Sequence, residues 1–138
     1  MGVAASKIAS LARSVARARA EFAEGGQTFR QNFTRQDAAI LNVMRACESA
    51  VDLANIVVRT RKLGIPKEMR GGFALLEAGQ LITRELSSRL QKMIGFRNIA
   101  VHQYQELDLD IVDVVIREGL EDLLEFAEVI RPYLPTAD

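Results

Sequence analysis

Apolar positions recur every three or four residues along almost the whole chain and nowhere alternate with period two, so the pattern predicts helices and no sheet. Ile8, Leu11, Val15, Ala18 and Phe22 keep this rhythm up to Gly25-Gly26, which predicts a first helix stopped by its glycines. A polar, Phe-bearing connector follows, and Thr34 with Asp37 three residues on predicts a capped start for the second helix. Ile40, Met44, Cys47, Val51, Ala54 and Val58 make the cleanest stripe in the chain and mark the central core helix. Arg59, Arg61 and Lys62 suit the negative pole of its dipole, with phosphate contact as the alternative, and Gly64 before Pro66 ends it. In residues 67–82, Gly71-Gly72 and the apolar set Phe73, Leu75, Leu76, Leu81 and Ile82 predict a short helix packed as a lid over the bundle end. A fourth helix is predicted from about Thr83 to about His102, with a break near Gln103-Tyr104. The last starts near Asp110, with Asp113 three residues later, and carries Val112, Val115, Leu120, Leu123, Ala127, Ile130 and Leu134 before Pro135. The expected fold is all-α: one domain over residues 1–138, an antiparallel bundle of four long helices plus a short one.

The fourth helix departs from a simple core stripe. Its apolar line runs Leu86, Leu90, Met93, then Arg97, Val101 and Tyr104, so a guanidinium interrupts a face that otherwise looks buried. Beside it lie Gln91, Gly95, Asn98 and His102, where Gly95 lets another backbone come close. On a continuous helix Arg97 and Tyr104 nearly superimpose, Asn98 and His102 touch, and the polar groups converge on one patch. This patch holds the only histidine of the chain.

Composition narrows the classes. A length of 138 residues and 49% hydrophobic content suit a globule with a real core. No run approaches the roughly 20 apolar residues of a membrane span, so no membrane partner is expected. The single cysteine, Cys47, excludes an internal disulfide, and its place on the apolar stripe marks it as core rather than nucleophile. Met1-Gly2-Val3-Ala4-Ala5-Ser6 formally matches a myristoylation signal, and residues 1–20 are Arg-rich and acid-free like a transit peptide. The apolar rhythm of residues 8–22 reads instead as a bundle helix, and a cytoplasmic protein is expected. Net charge is zero, yet residues through Gln105 carry 16 Lys and Arg against 8 Asp and Glu, while the remainder carries 2 against 10. The first part could attract a polyanion, or the basic and acidic helices could simply neutralise each other.

Phosphate loops are not indicated, because neither glycine pair has the lysine, spacing and preceding strand they require. One His and one Cys cannot supply a transition-metal cluster. Asp108, Asp110 and Asp113 could take Mg²⁺, but helix capping explains them more simply. No cofactor is expected.

Arg97, four residues, His102, one residue, Tyr104 forms the pattern R-x4-H-x-Y, which by ordinary amino-acid usage arises by chance in about one chain of this length in a few hundred. The pattern resembles that of the HEPN superfamily. The fuller text Gly95-Phe96-Arg97-Asn98-Ile99-Ala100-Val101-His102-Gln103-Tyr104 closely resembles the HepT-like toxin ribonucleases of prokaryotic toxin–antitoxin pairs. The segment Asn42 to Leu53 and the loop Leu63-Gly64-Ile65-Pro66 look like their counterparts there. The resemblance implies a metal-independent endoribonuclease that works as a homodimer with a composite site. It also implies a partner, a minimal nucleotidyltransferase antitoxin able to silence the toxin by transferring AMP to the motif tyrosine, here Tyr104.

Cleaving RNA without a metal requires a base for the 2′-hydroxyl proton, an acid for the leaving 5′-oxygen and positive charge on the strained phosphate. His102 is the expected general base or acid and Arg97 the expected phosphate clamp. Asn98 is expected to orient one of them, and Tyr104 to stack on a base or hydrogen-bond a phosphate. One chain offers one imidazole and one guanidinium, so a two-fold dimer closing at Gly95 would bring two of each into one cleft. Two alternatives stand beside this reading. A non-catalytic HEPN module would bind a nucleotide or protein partner with the same face. A purely structural dimer would pair Arg97 with an acid and shut His102 from solvent.

Overall fold

The computed structural model describes residues 2–136. Helix α1 spans Val3–Gly25, α2 Phe33–Thr60, α3 Gly71–Ala78 and α4 Arg84–His102. The last long helix consists of α5, Leu109–Val114, a π-helical stretch at Val115–Gly119 and α6, Leu120–Ile130. Short 3-10 turns at Gly26–Gln31, Tyr104–Glu106 and Arg131–Tyr133 complete the described residues, which contain no strand. This is the expected all-α bundle. Among the described residues no helix is long and apolar enough to cross a membrane.

Ion pairs and packing fix the helix directions. Lys7 meets Asp52 at 2.8 Å and Glu21 meets Arg35 at 2.7 Å, so α1 runs antiparallel to α2. Arg97 near the end of α4 reaches Glu48 at 3.0 Å and Tyr104 just beyond it bonds Asp37, one rising as the other falls along the chain, which sets α4 antiparallel to α2 as well. Arg89 pairs with Asp122 at 2.8 Å and places α6 against α4. The core between them takes Leu11, Val15, Ala18, Leu53, Leu86, Leu90, Ile94, Leu120, Leu123, Phe126 and Ile130, all at or near zero exposure. Each follows a three-four rhythm, and burial of such side chains is the main favourable contribution to folding.

Helix ends differ in detail from their sequence expectations. Asn32, not Thr34, caps α2: its Oδ1 accepts from Arg35 N at 3.1 Å, and an Asx oxygen before the first helical residue satisfies a donor that lacks a partner within the helix. The carboxylate of Asp37 is thereby free for another helix. Thr83 caps α4 by accepting from Leu86 N at 3.1 Å, as its position suggested. Asp108 caps α5 by accepting from Asp110 N at 2.8 Å, two residues before the expected start near Asp110. Gly26 and Gly64 end α1 and the α2 turn with φ of 50° and 133°, a region that L side chains rarely enter. The two-turn α3 is less a lid than a wedge, for Phe73 and Leu76 are fully buried and the Phe73 ring meets Phe126 edge-on at 5.2 Å.

The acidic last helix neutralises the basic part of the same chain at Arg19–Glu121, Arg30–Asp110 and Arg89–Asp122, and Arg117 pairs with Asp113 within its own helix. Asp108, Asp110 and Asp113 are thus individually engaged, and no group of three possible metal-binding side chains gathers among the described residues.

Candidate active site

The end of α4 is half buried on one side only. Leu86, Leu90 and Met93 are buried as expected, but the stripe then turns toward Phe96 and Ala100, leaving Val101 at 39% exposure. Arg97 sits at the turning point, with its side chain 18% exposed between α4 and α2. Its Nε and Nη2 donate to Glu48 Oε2 at 3.3 and 3.0 Å, and its Nη1 donates to Asn98 Oδ1 at 3.2 Å. A guanidinium has five N–H donors, so one hydrogen on each terminal nitrogen remains for an anion.

His102 is the last residue of α4 and is exposed, without a hydrogen bond or ion pair among the described residues. Its imidazole is open to solvent in the single chain, while Arg97 pairs with an acidic residue as the purely structural reading also expected. Gln103, at φ −140° and ψ 46°, breaks the helix directly after it. Tyr104 therefore does not stack over Arg97 as a continuous helix would require. It stands on the following 3-10 turn, 38% exposed, and its hydroxyl donates to Asp37 on α2. Partial burial, then this hydrogen bond and the carboxylate charge, push the phenol pKa up, so the hydroxyl keeps its proton at neutral pH.

Glu48 and Asp37 are the participants that sequence reasoning missed. Both lie on α2, eleven positions apart, which three helical turns place on one face. The only trace in the sequence was their acidity on the rim of an apolar stripe. Cys47, beside Glu48, is fully buried, and desolvation pushes its thiol up to about 12, which keeps it protonated and unreactive.

Gly95 faces the opposite side of α4, where a Cβ would come within 2.9 Å of Arg70 Nη2. It opens onto a groove of about 890 Å³ between α4 and α5, lined in part by Met93, Phe96, Asn98, Ile99, Leu107 and Ile111. Ile99, Ile111 and Val114 are 45%, 53% and 52% exposed, an apolar surface continuous with the end of α4. Asn98 touches both features, lining the groove and holding Arg97.

A family model described as "Ribonuclease HepT-like" matches residues 11–130. The chain is 49% identical over 125 residues to the mRNA nuclease HepT of Shewanella oneidensis, covering 91% of this chain and 93% of that one. Among solved structures it is similar to a tri-AMPylated Shewanella oneidensis HEPN toxin in complex with MNT antitoxin, with a TM-score of 0.89 and 47% identity over 96% of this chain and 99% of that one. A toxin–antitoxin structure with AMP-PNP matches with a TM-score of 0.88 and 46% identity, over 94% of this chain and 97% of that one.

Proposed function

The chain belongs to the HepT-like ribonuclease family, and from that premise we propose that it cuts RNA at the end of α4, with Arg97 and His102 as the reacting groups and without a metal. The observation that carries this reading is the pairing of an exposed, uncommitted imidazole with a guanidinium held in place but two N–H groups short of saturation. His102 takes the 2′-hydroxyl proton or returns one to the leaving 5′-oxygen, and Arg97 stabilises the charge that builds on the phosphate. Asn98 and Glu48 act through Arg97 as positioning residues. RNA cleavage in EDTA, compared with the same strand carrying a 2′-deoxy sugar at the scissile position, tests the chemistry. The first strand is cut and the second is not; cleavage of both would remove the 2′-hydroxyl from the mechanism.

One protomer supplies one imidazole, whereas in-line cleavage is served best by a base and an acid. The exposed apolar groove beside Gly95 offers a surface for a two-fold dimer that would place a second His102 near the first.

The toxin reading extends to a partner, a minimal nucleotidyltransferase antitoxin meeting this protein in the cytoplasm. Tyr104 is the acceptor it would use. The phenol oxygen attacks the α-phosphate of a nucleoside triphosphate, pyrophosphate leaves, and Asp37, already bonded to the hydroxyl, is placed to receive its proton. The adduct puts a phosphate and an adenosine beside the cleavage site and blocks RNA. Co-expression with the antitoxin should raise the intact mass by one or more AMP units, with no increment in Tyr104→Phe and a slower one in Asp37→Asn. An unmodified protein that the partner still silences would point to inhibition by binding alone.

A further inference from the structure

We propose that the cleft between α1 and α2 lined by Arg13, Arg17 and Arg45 is a second RNA-phosphate subsite, which grips the strand on the far side of α2 from the cleavage site. The proposal rests on the ribonuclease reading and names where the substrate goes once it leaves Arg97 and His102.

The cleft encloses about 390 Å³ and is lined by Ser10, Arg13, Ser14, Arg17, Asn42 and Arg45. All three guanidiniums are exposed. Arg19, Arg35, Arg89 and Arg97 each meet a carboxylate at 3.0 Å or less, but Arg13 and Arg45 make no ion pair among the described residues, and Arg17 reaches only Glu21 at 3.8 Å. Glu21 is already held by Arg35 at 2.7 Å. Three positive charges thus share one concavity with no carboxylate in its lining. Such like charges repel one another, and an anion between them relieves that repulsion.

The rest of the lining fits a nucleotide strand. Ser14 and Asn42 are buried polar side chains at 5% and 8% exposure. Asn42 donates Nδ2 to Ala38 O at 2.8 Å, which leaves its carbonyl as the acceptor for a hydroxyl such as a ribose 2′-OH. A protein partner with an acidic face would meet the charge but would have little use for a narrow polar floor.

Position argues for the same strand. Asp37, Leu41, Arg45, Glu48 and Asp52 follow one another at three and four residues and make one face of α2. On one side of that face α4 attaches, through Arg97 to Glu48 and Tyr104 to Asp37. On the other side α1 attaches, through Lys7 to Asp52 and Glu21 to Arg35. Arg45 falls between Asp37 and Glu48 along the helix, so the cleft and the motif stand at the same height across a single helix. Packed helices are about 8–10 Å apart, a distance a single strand crosses in a few nucleotides.

The test uses the full-length His102→Ala protein, so that the probe survives, and a fluorescein-labelled single-stranded RNA whose binding is followed by anisotropy across a salt series. Adding Arg13→Gln and Arg45→Gln should weaken binding about tenfold or more and lower the slope of log K against log salt by about 1.4, since each phosphate contact on a single strand contributes about 0.7. Lys67→Gln, which removes a charge elsewhere on the surface, is the control. The proposal is overturned if the double variant keeps the slope and affinity of its parent, or if Lys67→Gln produces the same loss per charge. An adduct or partner complex lost in the double variant while RNA binding stays intact would assign the cleft to a protein instead, and also overturns it. RNA cleavage by the wild-type protein, measured separately, reports on the ribonuclease reading: wild type that cuts RNA while the double variant binds like its parent sinks only the subsite.

Discussion

At the residue scale, the proposed chemistry depends on how Arg97 is held. Its pattern with His102 and Tyr104 was legible because three residue types at fixed spacing are rare by chance, but the partners of these residues were not. Glu48 and Asp37 come from a different helix, 49 and 67 positions away in the chain, and no local rule names them. Arg97 is an ion-paired group, yet the pair is half open to water, with the Glu48 side chain 45% exposed, so the bridge contributes little to stability and more to direction. Glu48→Ala should therefore leave the fold intact and lower RNA cleavage about 10- to 100-fold by letting the guanidinium swing away. Glu48→Gln, which keeps an acceptor, should recover most of the rate. Equal loss in both variants, seen in single-turnover kinetics, would mean that the charge rather than the position matters.

At the element scale, helix spans were read well because the three-four rhythm and the caps agree, as in α4, which Thr83 starts and Gln103 ends. Faces and irregularities were read less well. The expected break near Gln103-Tyr104 is found after His102, and it undoes the overlap of Arg97 and Tyr104, which holds only on a continuous helix. The π-helical stretch Val115–Gly119 also left no sequence signal beyond one glycine. A Cβ on Gly119 would collide with the Met93 thioether, so the glycine lets the last helix close on α4 beside the groove. Gly119→Ala should cost about 1–3 kcal/mol through overpacking, read as a lower midpoint in urea unfolding. An unchanged midpoint would show that Met93 simply moves aside.

At the scale of the whole molecule, the division into basic and acidic parts serves two ends. Much of it is cancelled within the chain by α6 against α1 and α4, as the bland reading of the charge pattern held. Part of the remainder gathers at the α1–α2 cleft, where no acid lines the concavity. The proposed dimer is the other property of the whole, and the sequence could point only to Gly95. The groove and the exposed Ile99, Ile111 and Val114 give that position a surface. Gly95→Leu should shift the protein toward monomer in sedimentation and lower cleavage in parallel, because filling the groove forces the surfaces apart. A monomer that cuts RNA at the wild-type rate would show that one imidazole suffices.

RNA cleavage by this chain is proposed to turn on His102 as the group that moves the proton. The most direct measurement is single-turnover cleavage of one RNA in EDTA by the wild-type protein and by His102→Ala, with circular dichroism establishing that both are folded. The expected result is steady cleavage by the wild type and a rate about 10²- to 10⁴-fold lower in the variant. Cleavage that EDTA abolishes, or that His102→Ala performs at the wild-type rate, would contradict the account.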